Sequence, residues 1–120
     1  MNADDLYHQG RMEMDAGALE QAVVHFRESI TEWPHFKTLE LLGDCLLRLE
    51  RPREAIVPLA AATALNRQGQ APALLAQAFL ELGTYRDAFD QAEEALRRAP
   101  GHQLAIEVRQ AARQQLEPDG

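Results

Sequence analysis

Apolar residues recur three and four positions apart along almost the whole chain, the spacing that keeps one face of an α-helix hydrophobic. Leu19, Ala22, Val23, Phe26 and Ile30 follow it, as do Leu39, Leu42, Leu46 and Leu49, and later Leu104, Ala105, Val108, Ala112 and Leu116. The stretch from Leu82 to Pro100, LGTYRDAFDQAEEALRRAP, shows how these pieces begin and end: a loop glycine, an amphipathic helix and a proline stop in succession. A shift of 33 residues brings Gly83 onto Glu50 and Gly17, Ala88 onto Ala55 and Ala22, and Pro100 onto Arg67 and Pro34. Gly10, Gly43 and Ala76 coincide under the same shift. A period of this size identifies a helical array, in which each repeat leaves an apolar face for the next to cover.

The punctuation sets the elements. A first helix is predicted from about residue 3 to 16, with Asp4 and Asp5 in the first turn, where the helix dipole favours acids, and Gly17 at its end. Its partner runs from about 18 to 32 and stops at Trp33-Pro34, because proline disfavours a helical residue before it and cannot donate the next hydrogen bond. Gly10 and Ala22 have almost no side chain, so these axes can approach to the short end of the usual ~8–10 Å range. A second pair spans about 35 to 49 and onward from Pro52, and a third starts near Pro72 and continues from about 85 to 98. Pro58 falls inside the second helix of the middle pair, where it removes the bond to the Glu54 carbonyl; a bend costing ~3 kcal/mol is expected there. Arg86 and Asp90, Glu93 and Arg97, and Glu94 and Arg98 stand four apart, pairs that support a solvated face by ~0.2–0.5 kcal/mol each.

Leu42-Gly43, Gly83-x-Tyr85, Ala22 with Phe26, and Pro100 together resemble the tetratricopeptide repeat, over residues 3 to 102. The resemblance implies an all-α fold: a right-handed α-α superhelix of three helix-turn-helix repeats, about 3–35, 36–68 and 69–101, closed by a capping helix at about 102–117. Residues 118–120 are expected to form a disordered tail of this single domain. Some positions depart from the family pattern: Glu50 replaces a glycine, Arg67 a proline, Pro72 a large plug, and Gln9 and Glu13 apolar residues.

Composition narrows the function. The net charge is −7, with ten acids against four bases in residues 1–50 and nine against eight thereafter. Such a balance argues against nucleic acid, which needs a basic stripe, and against anionic membrane surfaces. No apolar run approaches the ~20 residues of a membrane span, and the N-terminus has neither a basic start nor a hydrophobic signal core. A cytoplasmic location is the expectation, and the single Cys45 excludes an internal disulfide.

No enzyme, metal or cofactor site is expected. The glycines are spread out instead of forming a phosphate loop, His8, His25, His35 and His102 lack ligand spacing, and Cys45 lies in a leucine-rich helix. What remains is a surface. In tetratricopeptide arrays the first helix of each pair lines a concave groove, and the resemblance carries this role to Tyr7, His8, Arg11 and Met14 in the first repeat. It carries it to Glu40, Leu41, Asp44, Leu47 and Arg48 in the second, and to Ala73, Leu74, Gln77, Leu80 and Glu81 in the third. Leu41, Leu47, Leu74 and Leu80 are expected to be its apolar lining. Arrays of this family that clamp the C-terminal carboxylate of heat-shock chaperones use lysine, asparagine and arginine where this chain has Tyr7, Arg11, Leu41, Gln70 and Leu74, so that clamp is not expected. The expected function is non-enzymatic binding of an apolar or amphipathic segment of another protein. The alternatives are a secretion-type chaperone with one client and a self-associating, homo-oligomeric structural protein.

Overall fold

The structure is a computed structural model that describes residues 1–117, so the expected tail at 118–120 lies outside the described residues. Seven helices follow one another: α1 (Ala3–Asp15), α2 (Leu19–Glu32), α3 (Phe36–Arg48), α4 (Pro52–Leu65), α5 (Gln70–Glu81), α6 (Tyr85–Arg98) and α7 (Gln103–Leu116). They form an all-α solenoid of three helix pairs with α7 packed on α5 and α6.

The hairpin inside each pair is set by one repeated hydrogen-bond motif. Ala18 N–H donates to Glu13 O, Arg51 N–H to Leu46 O and Thr84 N–H to Phe79 O, at 2.8 to 3.0 Å. Inside each of these bonds, the N–H of Gly17, Glu50 or Gly83 reaches the carbonyl three residues back at 3.0 to 3.1 Å. This paired closure is the Schellman motif, and it requires a left-handed residue after the helix. Gly17 and Gly83 meet that demand at φ 81° and 78°; Glu50 is forced into it at φ 59°. The middle repeat therefore carries backbone strain where its neighbours carry glycine.

Helix stops vary more than the turns. Trp33, before Pro34, is extended at φ −153° and ψ 108°. Where the second repeat lacks its proline, Asn66 serves: its side-chain amide donates to Ala62 O, and its Oδ1 accepts Gln68 N–H at 2.8 Å. Arg98 of α6 holds the same corner, with Nη1 donating to the carbonyls of Thr63, Asn66 and Gln68 at 3.1 to 3.2 Å. The other departures also find partners. Pro72 is fully buried, and Glu13 accepts from Gln9 at 3.2 Å and meets His25 of α2 at 2.6 Å. Pro58 is buried inside α4, which continues through it to Leu65.

Within each pair a small residue faces a matched partner. A Cβ on Gly10 would sit 2.5 Å from Phe26 Cε1, and one on Gly43 would collide with Leu59. The sequence sets Gly10 against Ala22; the ring of Phe26, one turn further on, is what fills the space. Shifted by 33 residues, the same places hold Ala76 and Ala92, both fully buried in one cluster. When the first helix gains a methyl, its partner loses a ring or an isobutyl group. The outer charges are also re-sorted: Arg86–Asp90 at 3.5 Å and Arg98–Glu94 at 2.7 Å keep their expected spacing. Arg97 takes Glu94 at 2.7 Å, because Glu93 turns toward Arg109 of α7 at 3.6 Å.

The helices form two layers. α3 packs on α5 and α5 on α7, whereas no comparable contact joins α2 to α4 or α4 to α6. First helices thus make the inner layer and second helices the outer one.

Two stability outcomes follow. Glu50→Gly is expected to stabilise the protein by about 0.5–1 kcal/mol in urea unfolding, since the relieved left-handed strain exceeds the added chain entropy of glycine; Glu50→Gln, which leaves the strain, is expected to give less. Gly43→Ala is expected to cost about 1–3 kcal/mol by overpacking on Leu59. Combined with Leu59→Ala, which reproduces the Ala76–Ala92 arrangement, the two losses are expected to fall short of their sum by about 1 kcal/mol.

Candidate protein-binding groove

The inner layer carries the sequence-predicted groove residues. On α1, Tyr7 is half-buried with its ring 6.3 Å from that of Phe26. Arg11, exposed, donates from Nη1 to the Tyr7 hydroxyl at 3.0 Å and places its guanidinium 5.9 Å from the ring centre. That hydrogen bond raises the pKa of Arg11, already far above neutral. His8 stands exposed, 3.5 Å from Asp4, and Met14 packs half-buried on the core.

On α3, Leu41 is half-buried against the core, and Asp44 accepts from Arg48 Nε at 3.1 Å. Leu47 is only 6% exposed, and Leu74 on α5 only 5%. Their place in the core with Leu42, Leu46 and Leu75 differs from the expected lining, and the cause is the direct packing of α3 on α5, which covers the sides of both helices. Ala73 is fully buried, in a cluster with α6 and α7. Of the expected groove residues, Tyr7, Met14, Leu41 and Leu80 therefore keep accessible apolar surface, and Gln77 is half-buried.

Glu40 is 2% exposed. One of its carboxylate oxygens accepts from Lys37 Nζ at 2.8 Å; Oε1 is buried and has no hydrogen-bond partner among the described residues. Glu81, at the end of α5, has its pKa pushed up by desolvation and then by the like charge of Glu50.

Between the N-terminal ends of α1 and α3 lies a cleft of about 610 Å³ that sequence reasoning missed. Asn2, Ala3, Asp4, Tyr7, Ser29, Trp33, His35, Phe36, Lys37 and Thr38 line it. The available signal was the single tryptophan, placed beside a proline in a turn between repeats, where a core role is unnatural; Trp33 is 63% exposed.

Reactive groups are engaged structurally. Cys45 is fully buried, and desolvation, then Asp44, lifts its thiol to about 11. His35 and His102 accept N–H bonds at the starts of α3 and α7. Among the described residues, no three His, Cys, Asp or Glu gather as a metal site would require, and no helix is long and apolar enough to cross a membrane.

An inner layer of first helices, an outer layer of second helices and a hairpin repeating every 33 residues define a helical-repeat array. The fold is that of the tetratricopeptide repeat (TPR), as solved structures show. The first TPR domain of Spaghetti (RPAP3), bound to the HSP90 peptide SRMEEVD, matches with a TM-score of 0.90 over 96% of this chain and 93% of that one, at 20% identity. The TPR domain of Arabidopsis OM64 gives 0.88 over 93% and 94%, at 18% identity. The Sgt2 TPR domain of Aspergillus fumigatus gives 0.87 over 96% and 79%, at 14% identity. No protein-family model and no curated protein matches the sequence.

The Glu81 carboxyl supplies a pH test. Its pKa is higher folded than unfolded, so folding is penalised once the group ionises, above about pH 4.3, and not when both states are protonated. Glu81→Gln is expected to raise the urea midpoint at pH 7 and leave it unchanged near pH 3.

Proposed function

We propose that the chain is a non-enzymatic protein-binding module whose inner face receives an apolar or amphipathic peptide or helix from another protein. The observation that carries this reading is the row of half-buried Tyr7, Leu41, Gln77 and Leu80 along the inner layer, edged by Arg11, Asp44, Arg48 and Glu81. Apolar positions would supply affinity through desolvation, and the charged edge would fix register. The Spaghetti domain was solved with an acidic peptide. Here Glu40, Asp44 and Glu81 stand on the inner helices, and the family resemblance puts Leu41 and Leu74 where carboxylate clamps carry polar or basic side chains. A different class of peptide follows from that difference. A single export client would be the narrower, secretion-chaperone form of the same reading.

Self-association is a second reading, favoured by Val24, Val57 and Leu65, which are exposed on the outer helices α2 and α4. Sedimentation separates the two: a mass that rises with concentration supports it.

Leu41→Gln combined with Leu80→Gln keeps side-chain size while making the groove polar. The double variant is expected to stay folded by circular dichroism and to bind a captured partner at least about tenfold more weakly, the loss of a binding hot spot. Unchanged affinity would remove the groove from consideration.

A further inference from the structure

The cleft between α1 and α3 exists because these two helices lack the contact that closes α3 on α5. Four rings line it, those of Tyr7, Trp33, His35 and Phe36. Trp33 is held out by extended backbone before Pro34, and His35 stacks on Phe36 with centroids 4.7 Å apart. Its volume, about 610 Å³, lies within the range of pockets that enclose a ligand group.

Charge decides which group. Asp4 stands at the wall with a side chain 80% exposed, and its contact is with His8, itself exposed. Lys37, the one lysine or arginine among the lining residues, donates to Glu40 behind the wall at 2.8 Å, which offsets its charge. The cleft thus combines ring faces, which carry negative electrostatic potential, with the exposed carboxylate of Asp4, and both attract a cation. The surrounding acidity of residues 1–50 adds long-range attraction for a basic chain.

Resting on the groove reading above, we propose that this cleft is its anchor subsite and receives an arginine or lysine side chain, flanked by an apolar residue, from a basic segment of the partner. The cation lies against Trp33 and Tyr7, Asp4 pairs with it, and Phe36 covers the neighbouring apolar residue.

Selection from a displayed library of random peptides tests this, and Trp33, the only tryptophan, reports occupancy of the cleft by its fluorescence. Enriched peptides are expected to carry arginine or lysine beside an apolar residue and to shift the Trp33 emission. Trp33→Ala and Asp4→Lys, each checked by circular dichroism, are expected to weaken the best synthesised peptide about tenfold, while Trp33→Phe retains most of its affinity. Enrichment of acidic or uncharged sequences overturns the proposal. So does a peptide that loses affinity for the Leu41→Gln, Leu80→Gln protein but binds the Trp33 and Asp4 variants like wild type, a result that leaves the groove reading standing. No enrichment, or binding indifferent to both sets of variants, overturns both.

Discussion

The close approach of two helices within each repeat is the constraint on which the other features depend. A helix pair can present a smooth apolar face to the next pair only if its own interior is filled without forcing the axes apart. Here the filling is shared out across the contact. Glycine faces phenylalanine in the first repeat, glycine faces leucine in the second, and alanine faces alanine in the third. Side-chain volume moves from one partner to the other while the backbone scheme repeats, so the repeats can stack in a common geometry despite different contents. The Schellman turn works beside this constraint, fixing the chain reversal that brings those positions opposite each other. Its demand is geometric enough that Glu50 adopts a left-handed backbone to satisfy it.

From that packing follows an uneven inner face. Between α3 and α5 the repeats sit close enough to swallow Leu47 and Leu74, and a surface that would have been apolar becomes core. Between α1 and α3 they do not, and the cleft remains. The difference bears on function because burying an apolar side chain within the stack stabilises the fold, whereas leaving it accessible reserves that free energy for a partner. The inner face is therefore mostly spent in its middle and open at the N-terminal end. Tyr7, Trp33, His35, Phe36 and the exposed Asp4 gather at that open end.

How much of this was legible depended on the range of the interactions. Turns, stops and period rest on local backbone rules, so Gly17, Gly83 and the Trp33-Pro34 break could be read from residue type alone. Asn66 could not, because its role as a stop depends on a side chain folding back onto the Ala62 carbonyl and on Arg98, more than thirty residues away, holding the same corner. The site was less legible for a related reason. Helical position tells which layer a leucine belongs to, but not whether the adjacent repeat lies near enough to cover it. Leu41 and Leu47 lie on the same helix about 120° apart around its axis, and Leu47 is buried while Leu41 stays half-exposed.

Electrostatics joins these two scales. Pairing along a helix is partly readable, as Arg86 with Asp90 and Asp44 with Arg48 show, and such exposed pairs contribute little to stability. The pairing that matters for the open end is Lys37 with Glu40, which places a carboxylate almost wholly inside the protein with half its acceptor capacity unused. An unpaired buried acceptor is costly in a fold selected for stability alone. Its neighbour in that pair lines the cleft, so tying up the lysine weakens the repulsion of a basic ligand by the wall. The burial of Glu40 and the exposure of Asp4 then act in the same direction: one neutralises the wall and the other charges the mouth. On the proposed reading, charge placement within an unchanged helical scaffold is what would set this groove apart from the domain of the same fold that was solved with an acidic peptide.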